Sequence, residues 1–149
     1  MVKPEAKGGD VHIKAGLIWM NGAFVPQEEA KTSVLSHALH YGTSVFEGIR
    51  AYETPKGAAI FRLKEHVRRF FNSAKVLRME IPFTPEEIEE AIKEVVRRNG
   101  YKSCYIRPLA WMGAKALGGE PPAQQPRRGD GGRLGVGSLS WGGGGAQGG

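Results

Sequence analysis

The stretch AIFRLKEHVRRFFNSAKVLRM, residues 59–79, changes its hydrophobic period partway along. AIFRL, 59–63, reads as a short strand. From Lys64 the apolar residues Val67, Phe70, Phe71, Ala74 and Leu77 recur at helical spacing and form one stripe of an amphipathic helix, which Pro82 is expected to end. A strand feeding directly into a one-sided helix implies a sheet for that helix to cover.

Working outward, the next segment repeats the helical pattern. Thr84-Pro85-Glu86-Glu87 supplies an N-cap, a proline at the first helical position and a Glu three residues on, and Asn99-Gly100 supplies the stop. The stripe between them is Ile88, Ala91, Ile92, Val95 and Val96. On the other side, residues 43–53 and 59–63 flank Thr54-Pro55-Lys56-Gly57, a turn sequence that predicts a hairpin. LIWM and AFVP, 17–26, flank Asn21-Gly22 and predict an earlier hairpin with a type I′ turn. SCYIRPLAWM, 103–112, is rich in strand formers, and alternation puts Tyr105, Arg107, Leu109 and Trp111 on one face. The fold class is α+β, with two amphipathic helices packed on a largely antiparallel sheet.

With 149 residues the chain has room for one core. The net charge of +6 comes from Lys and Arg interspersed with Glu along the two helices, which reads as solvated helix faces and not as a nucleic-acid patch. The single Cys104 excludes an internal disulfide framework, and no apolar run reaches the ~20 residues of a membrane helix. The start, MVKPEAKGGDV, lacks the apolar segment of a secretory signal, so a cytoplasmic location is expected.

Chemistry-bearing residues cluster in HALHYGTSVFEGIRAY, 37–52. On a strand there, Phe46, Gly48 and Arg50 share one face and Val45, Glu47 and Ile49 the other. Gly48 marks either a bulge or a ligand pressed against the backbone. Arg107, in an apolar strand, needs a carboxylate or phosphate for its donors, and either a structural Glu or an anionic ligand would serve. Arg69 is open between solvated and anion-binding roles. His37 and His40 lack a third ligand for a metal, and Cys104 sits in an apolar strand as a core residue.

Three segments together resemble the branched-chain-amino-acid aminotransferases of the class IV, pyridoxal-phosphate type: Ile18 to Gly22, His37 to Arg50, and Tyr105 to Leu109. The resemblance spans about residues 13–118. It implies the small N-terminal domain of that fold, with Arg69 on the cofactor phosphate and Arg107 on the substrate carboxylate. Tyr41, Phe46, Gly48 and Tyr105 would shape the slot for an aliphatic side chain. It further implies amino transfer from leucine, isoleucine or valine to 2-oxoglutarate, pyridoxal 5'-phosphate as cofactor, amino acids and 2-oxo acids as partners, and a homo-oligomer in the full-length family. The Schiff-base lysine belongs to the family's second, larger domain, so no catalytic residue is assigned in this chain, which is expected to be inactive alone. Nothing in the resemblance implies nucleic acid, a metal or a membrane.

Residues 1–12 read as a flexible extension and 119–149 as a disordered tail, the latter holding twelve of the 22 glycines. The tail's Arg127-Arg128-Gly129 offers an alternative reading of the chain as a nucleic-acid-binding or partner-binding remnant without enzymatic activity. Beyond Gly118 the text departs from the family, yet codons for Gly119-Glu120-Pro121 read one base later can spell Val-Asn-Pro. A single-base frameshift is therefore expected to have replaced the second domain and truncated the protein. Reading the nucleotides around codon 118 tests this, since the idea fails if no one-base change recovers family-like sequence.

Overall fold

The structure, a computed structural model, describes residues 16–114 and 132–139. Among these residues seven strands form one antiparallel sheet: β1 (Leu17–Met20), β2 (Ala23–Pro26), β3 (Ser44–Phe46), β4 (Ile49–Thr54), β5 (Gly57–Ile60), β6 (Cys104–Met112) and β7 (Gly132–Leu139). Their order is β2-β1-β7-β6-β4-β5, with β3 also paired to β6. A five-residue helix α1 (His37–Tyr41) precedes β3, while α2 (Leu63–Val76) and α3 (Pro85–Arg98) lie between β5 and β6.

Both predicted hairpins are present. Asn21 and Gly22 adopt φ of 52° and 93°, the positive pair that a type I′ turn requires, and β1 pairs with β2 from Met20↔Ala23 outward. The second hairpin is shorter than the sequence suggests. It ends at Ile60, because Arg62 turns into the left-handed region (φ 49°) as N-cap of α2 and ends the strand.

The core lies between one face of the sheet and α2 with α3. Val67, Phe70 and Ala74 of α2 and all five stripe residues of α3 are buried against Ile49, Ala51, Cys104, Ile106 and Ala110 of the sheet. The Thr84 capping box forms as predicted, with Thr84 Oγ1 accepting from the Glu87 N–H at 3.2 Å and Glu87 Oε2 accepting from the Thr84 N–H at 2.7 Å. The end of α2 differs from expectation. The helix stops at Val76, well before Pro82, in a Schellman turn: the Met79 N–H donates to Ala74 O and the Arg78 N–H to Lys75 O, with Arg78 at φ 53°.

The tail also differs. Against the disorder expected over 119–149, Gly132–Leu139 form β7, inserted between β1 and β6. The physical reason is that pairing uses backbone groups, so a glycine-rich segment can fill a slot flanked by two strands without a side-chain pattern that announces it. The rest of 119–149, and the expected extension 1–12, lie outside the described residues.

Candidate functional site

Strand alternation assigns β6 two faces. Cys104, Ile106, Pro108 and Ala110 point into the core, while Tyr105, Arg107 and Leu109 line the face opposite the helices. Phe46 opposes Leu109, and three residues further along both strands Ile49 opposes Ile106. The register therefore passes through Glu47 and Gly48 without slip, which removes the bulge as an explanation for Gly48. The pairing lapses there because Pro108 has no N–H to give; Glu47 N–H still donates to Pro108 O at 3.0 Å.

The space above Gly48 is filled from within the chain. A Cβ at position 48 would collide with the hydroxyl and ring of Tyr105. Glycine here lets the Tyr105 side chain lie across the strand, and its hydroxyl accepts from Arg107 Nη2 at 2.8 Å. The Arg107 guanidinium is 4.3 Å from the Phe46 ring centroid and 5.1 Å from that of Tyr105. Glycine at 137 is the strand neighbour of Arg107 on its other side, which leaves the guanidinium room. Arg107 is exposed, so neither the buried carboxylate nor the structural Glu considered from sequence is its partner among the described residues.

Arg107 stands between two cavities on this face. One, of about 380 Å³, is lined by Ile18, Met20, Leu39, Leu109 and Trp111 among others; the second, of about 560 Å³, has Arg50, Tyr52 and Tyr105 in its wall. Phe46 is 56% exposed here, but Trp111, expected in the same open apolar patch, is buried and donates from Nε1 to Thr32 Oγ1 at 3.2 Å. Phe46, Gly48, Tyr105 and Arg107 are thus brought together. Tyr41 is not part of that contact set: it sits exposed on α1 and its ring packs on His37 at 4.5 Å. His37 Nδ1 meets Thr43 Oγ1 at 2.7 Å and His40 Nε2 meets Val34 O at 2.9 Å, so each imidazole has a local role. Burial pushes the Cys104 thiol up to about 11, which keeps it protonated at neutral pH.

Arg69 lies in a second cluster, anchored on the core side of the sheet by a residue the sequence reading left without a role. Glu47 is 3% exposed, and its Oε1 and Oε2 accept from Arg69 Nε at 2.7 Å and Nη2 at 2.6 Å, with His66 Nδ1 at 2.8 Å from Oε2. Burial alone would raise the Glu47 carboxyl, but the hydrogen bonds and charges of Arg69 and His66 hold it below the usual carboxylate range. An ionised Glu47 only accepts, so His66 Nδ1 carries the proton of that bond. The sequence did carry a signal: Glu47 falls between Val45 and Ile49 on the apolar face, where an unpaired carboxylate is not tolerated.

Arg69 is 67% exposed, and its Nη1 makes no hydrogen bond among the described residues. A guanidinium braced along one edge and open along the other fits a phosphate, so this chain's donor set is compatible with the phosphate end of pyridoxal 5'-phosphate.

Comparison with known proteins follows the same lines. The family model for amino-transferase class IV matches residues 44–128. The branched-chain-amino-acid aminotransferase of Escherichia coli (strain K12) is 50% identical over 110 residues, covering 74% of this chain and 36% of its own length. A crystal structure of a thermophilic (T.th.) branched-chain amino acid aminotransferase aligns with a TM-score of 0.77 at 80% identity, over 87% of this chain and 42% of that one. The same enzyme complexed with N-(5'-phosphopyridoxyl)-L-glutamate aligns with a TM-score of 0.78 at 79% identity, over 88% and 42% of the two chains. The chain therefore spans about a third of the length of the curated relatives it matches.

Proposed function

The chain belongs to the class IV aminotransferase family, and on that premise we propose that it supplies the substrate-facing half-site of a branched-chain-amino-acid aminotransferase. The observation that carries this reading is the Arg107 guanidinium seated on Phe46 at 4.3 Å, braced by the Tyr105 hydroxyl at 2.8 Å, beside an apolar cavity of about 380 Å³. A carboxylate docks on the free donors of Arg107, whether the substrate carboxylate of leucine, isoleucine or valine or the distal carboxylate of glutamate and 2-oxoglutarate. Phe46 and Tyr105 wall the slot for the aliphatic chain, and Gly48 serves by admitting Tyr105. Tyr41 joins this wall only from outside the Arg107 contact set, so its role is the one most dependent on a neighbouring subunit or domain.

The Arg69 Nη1 edge holds the cofactor phosphate. Pyridoxal 5'-phosphate, when bound, supplies an electron sink for amino-group transfer. What this chain contributes is binding, orientation and exclusion of water from the apolar slot. The setting is a soluble, cytoplasmic homo-oligomer acting on amino acids and 2-oxo acids, in which the lysine chemistry comes from a further domain.

The test is transamination of leucine with 2-oxoglutarate, with pyridoxal 5'-phosphate present, by this chain and by the gene product read one base later after codon 118. Activity in the second and none in the first is expected. Activity of this chain alone overturns the half-site division, and inactivity of both overturns the assigned reaction.

A further inference from the structure

We infer that Glu47 is the positioning residue of Arg69: it occupies Nε and Nη2 so that the Nη1 edge is presented to an anion. This rests on the phosphate role proposed above for Arg69. The burial of the pair is lopsided in an informative way. The acid is 3% exposed and the arginine 67%, so the carboxylate has been taken into the core to serve a guanidinium that remains in solvent. Position 47 faces the core between Val45 and Ile49, and an apolar side chain there would serve the sheet at least as well. What the carboxylate adds is geometry.

The fork at 2.7 and 2.6 Å fixes the plane of the guanidinium, which would otherwise swing on a long helical side chain. His66, three residues earlier on α2, donates to Oε2 at 2.8 Å and stops the carboxylate from rotating. The Arg69–His66 approach of 3.5 Å is a contact between two donors and competes with neither bond. Glu47 is itself tied to the sheet through its N–H to Pro108 O, so the orientation of Arg69 on α2 is referenced to the strand that carries Arg107.

Positioning and simple charge pairing predict opposite outcomes. A carboxylate that only neutralises Arg69 weakens its hold on a second anion, so removing the charge tightens anion binding. A carboxylate that orients Arg69 strengthens that hold, so removing it loosens binding.

The experiment titrates the 149-residue chain with inorganic phosphate, and separately with pyridoxal 5'-phosphate, while the Arg69 Nε–H resonance is followed by NMR. Glu47→Gln is expected to weaken phosphate affinity about tenfold, the scale on which outer ligand-orienting groups act. Glu47→Asp keeps the charge but shortens the reach, and a loss of about the same size is expected; this variant carries the test where the Gln form fails to fold. Unchanged or tighter binding in either variant overturns the positioning role. Arg69→Ala separates the two levels: if the wild type shows no phosphate-dependent shift, or Arg69→Ala leaves binding intact, the phosphate role itself falls. If Arg69→Ala abolishes binding and neither Glu47 variant weakens it, that role stands and the positioning inference fails.

Discussion

Glu47 couples three elements through one side chain, so its ionisation should be visible in the acid stability of the whole domain. Its folded-state affinity for a proton is lowered by Arg69 and His66 against the opposing effect of burial. A depressed carboxyl contributes stability that is present above its unfolded value near 4.5 and is lost as pH falls through the folded value. Thermal melting followed from pH 7 downward should therefore show the wild type losing stability below about pH 4.5, with a shallower acid limb in Glu47→Gln; parallel limbs would show that Glu47 is not the responsible group. A neighbouring position gives a steric counterpart. Gly48→Ala sets a methyl into the Tyr105 hydroxyl and ring, and the forced displacement should cost about 1–3 kcal/mol and break the Arg107–Tyr105 bond. Denaturant unfolding measures the first effect, and the Tyr105 ring resonances report the second. At this scale alternation made the Arg107 face readable from the sequence, because Phe46, Tyr105 and Arg107 follow from parity alone. The partners of Glu47 were not readable, since His66 and Arg69 lie 19 and 22 residues away on a different kind of element. Its burial was implied by Val45 and Ile49, and only the identity of what satisfied it was hidden.

Helix ends hold the sharpest contrasts between local signals and their outcomes. Thr84-Pro85-Glu86-Glu87 reads as a capping box and forms one, because every group in it is within three residues of its partner. Arg78 carries no such flag. An arginine at φ 53° in the C′ position of a Schellman turn bears the left-handed penalty that glycine avoids, and sequence reading accordingly carries α2 on to Pro82. Arg78→Gly should stabilise the domain by about 1 kcal/mol with α2 unchanged in length, a gain read as a raised urea midpoint at constant slope. The end of α3 shows a longer reach. The Asn99 side chain accepts from Leu17 N–H at 2.7 Å and donates to Leu17 O at 3.0 Å and Val95 O at 2.7 Å, acting toward β1 as a strand would. Asn99→Ala leaves both Leu17 groups without that partner and should cost about 2 kcal/mol, with the loss of hydrogen-exchange protection centred on β1. Asn99-Gly100 was legible as a helix stop, but its second duty depends on packing 82 residues apart, which no local pattern encodes.

The sheet as a whole depends on β7. Among the described residues the β1–β2 hairpin has no strand pairing to β6, β4 or β5; β7 alone links it to them, by Trp19↔Val136 and Met20↔Gly135 on one side and by eight register positions along β6 on the other. One cross-strand row, Met20, Gly135, Leu109 and Phe46, runs through β7 from the hairpin to the strand before Gly48, so the floor of the candidate site is assembled across it. This is also the part of the fold that sequence reading missed most completely, because a strand of Gly132, Gly135 and Gly137 has little strand propensity and pairs with residues far away in the chain. Glycine in a strand interior costs roughly 0.5–1 kcal/mol relative to alanine, so β7 should be the element that opens most readily. Two connections remain without it: the packing of α3 on β1 and the Asn99 bonds to Leu17. A chain ending at residue 114 should therefore keep the β3–β6 ladder, both helices and the Glu47 cluster, while amide protection disappears from β1 and β2 and from the edge of β6 that β7 covers. Hydrogen exchange resolved by residue separates the outcomes. Unchanged protection in β1 would mean that α3 and Asn99 alone hold the hairpin, whereas global loss of protection would make β7 part of a single cooperative unit with the core.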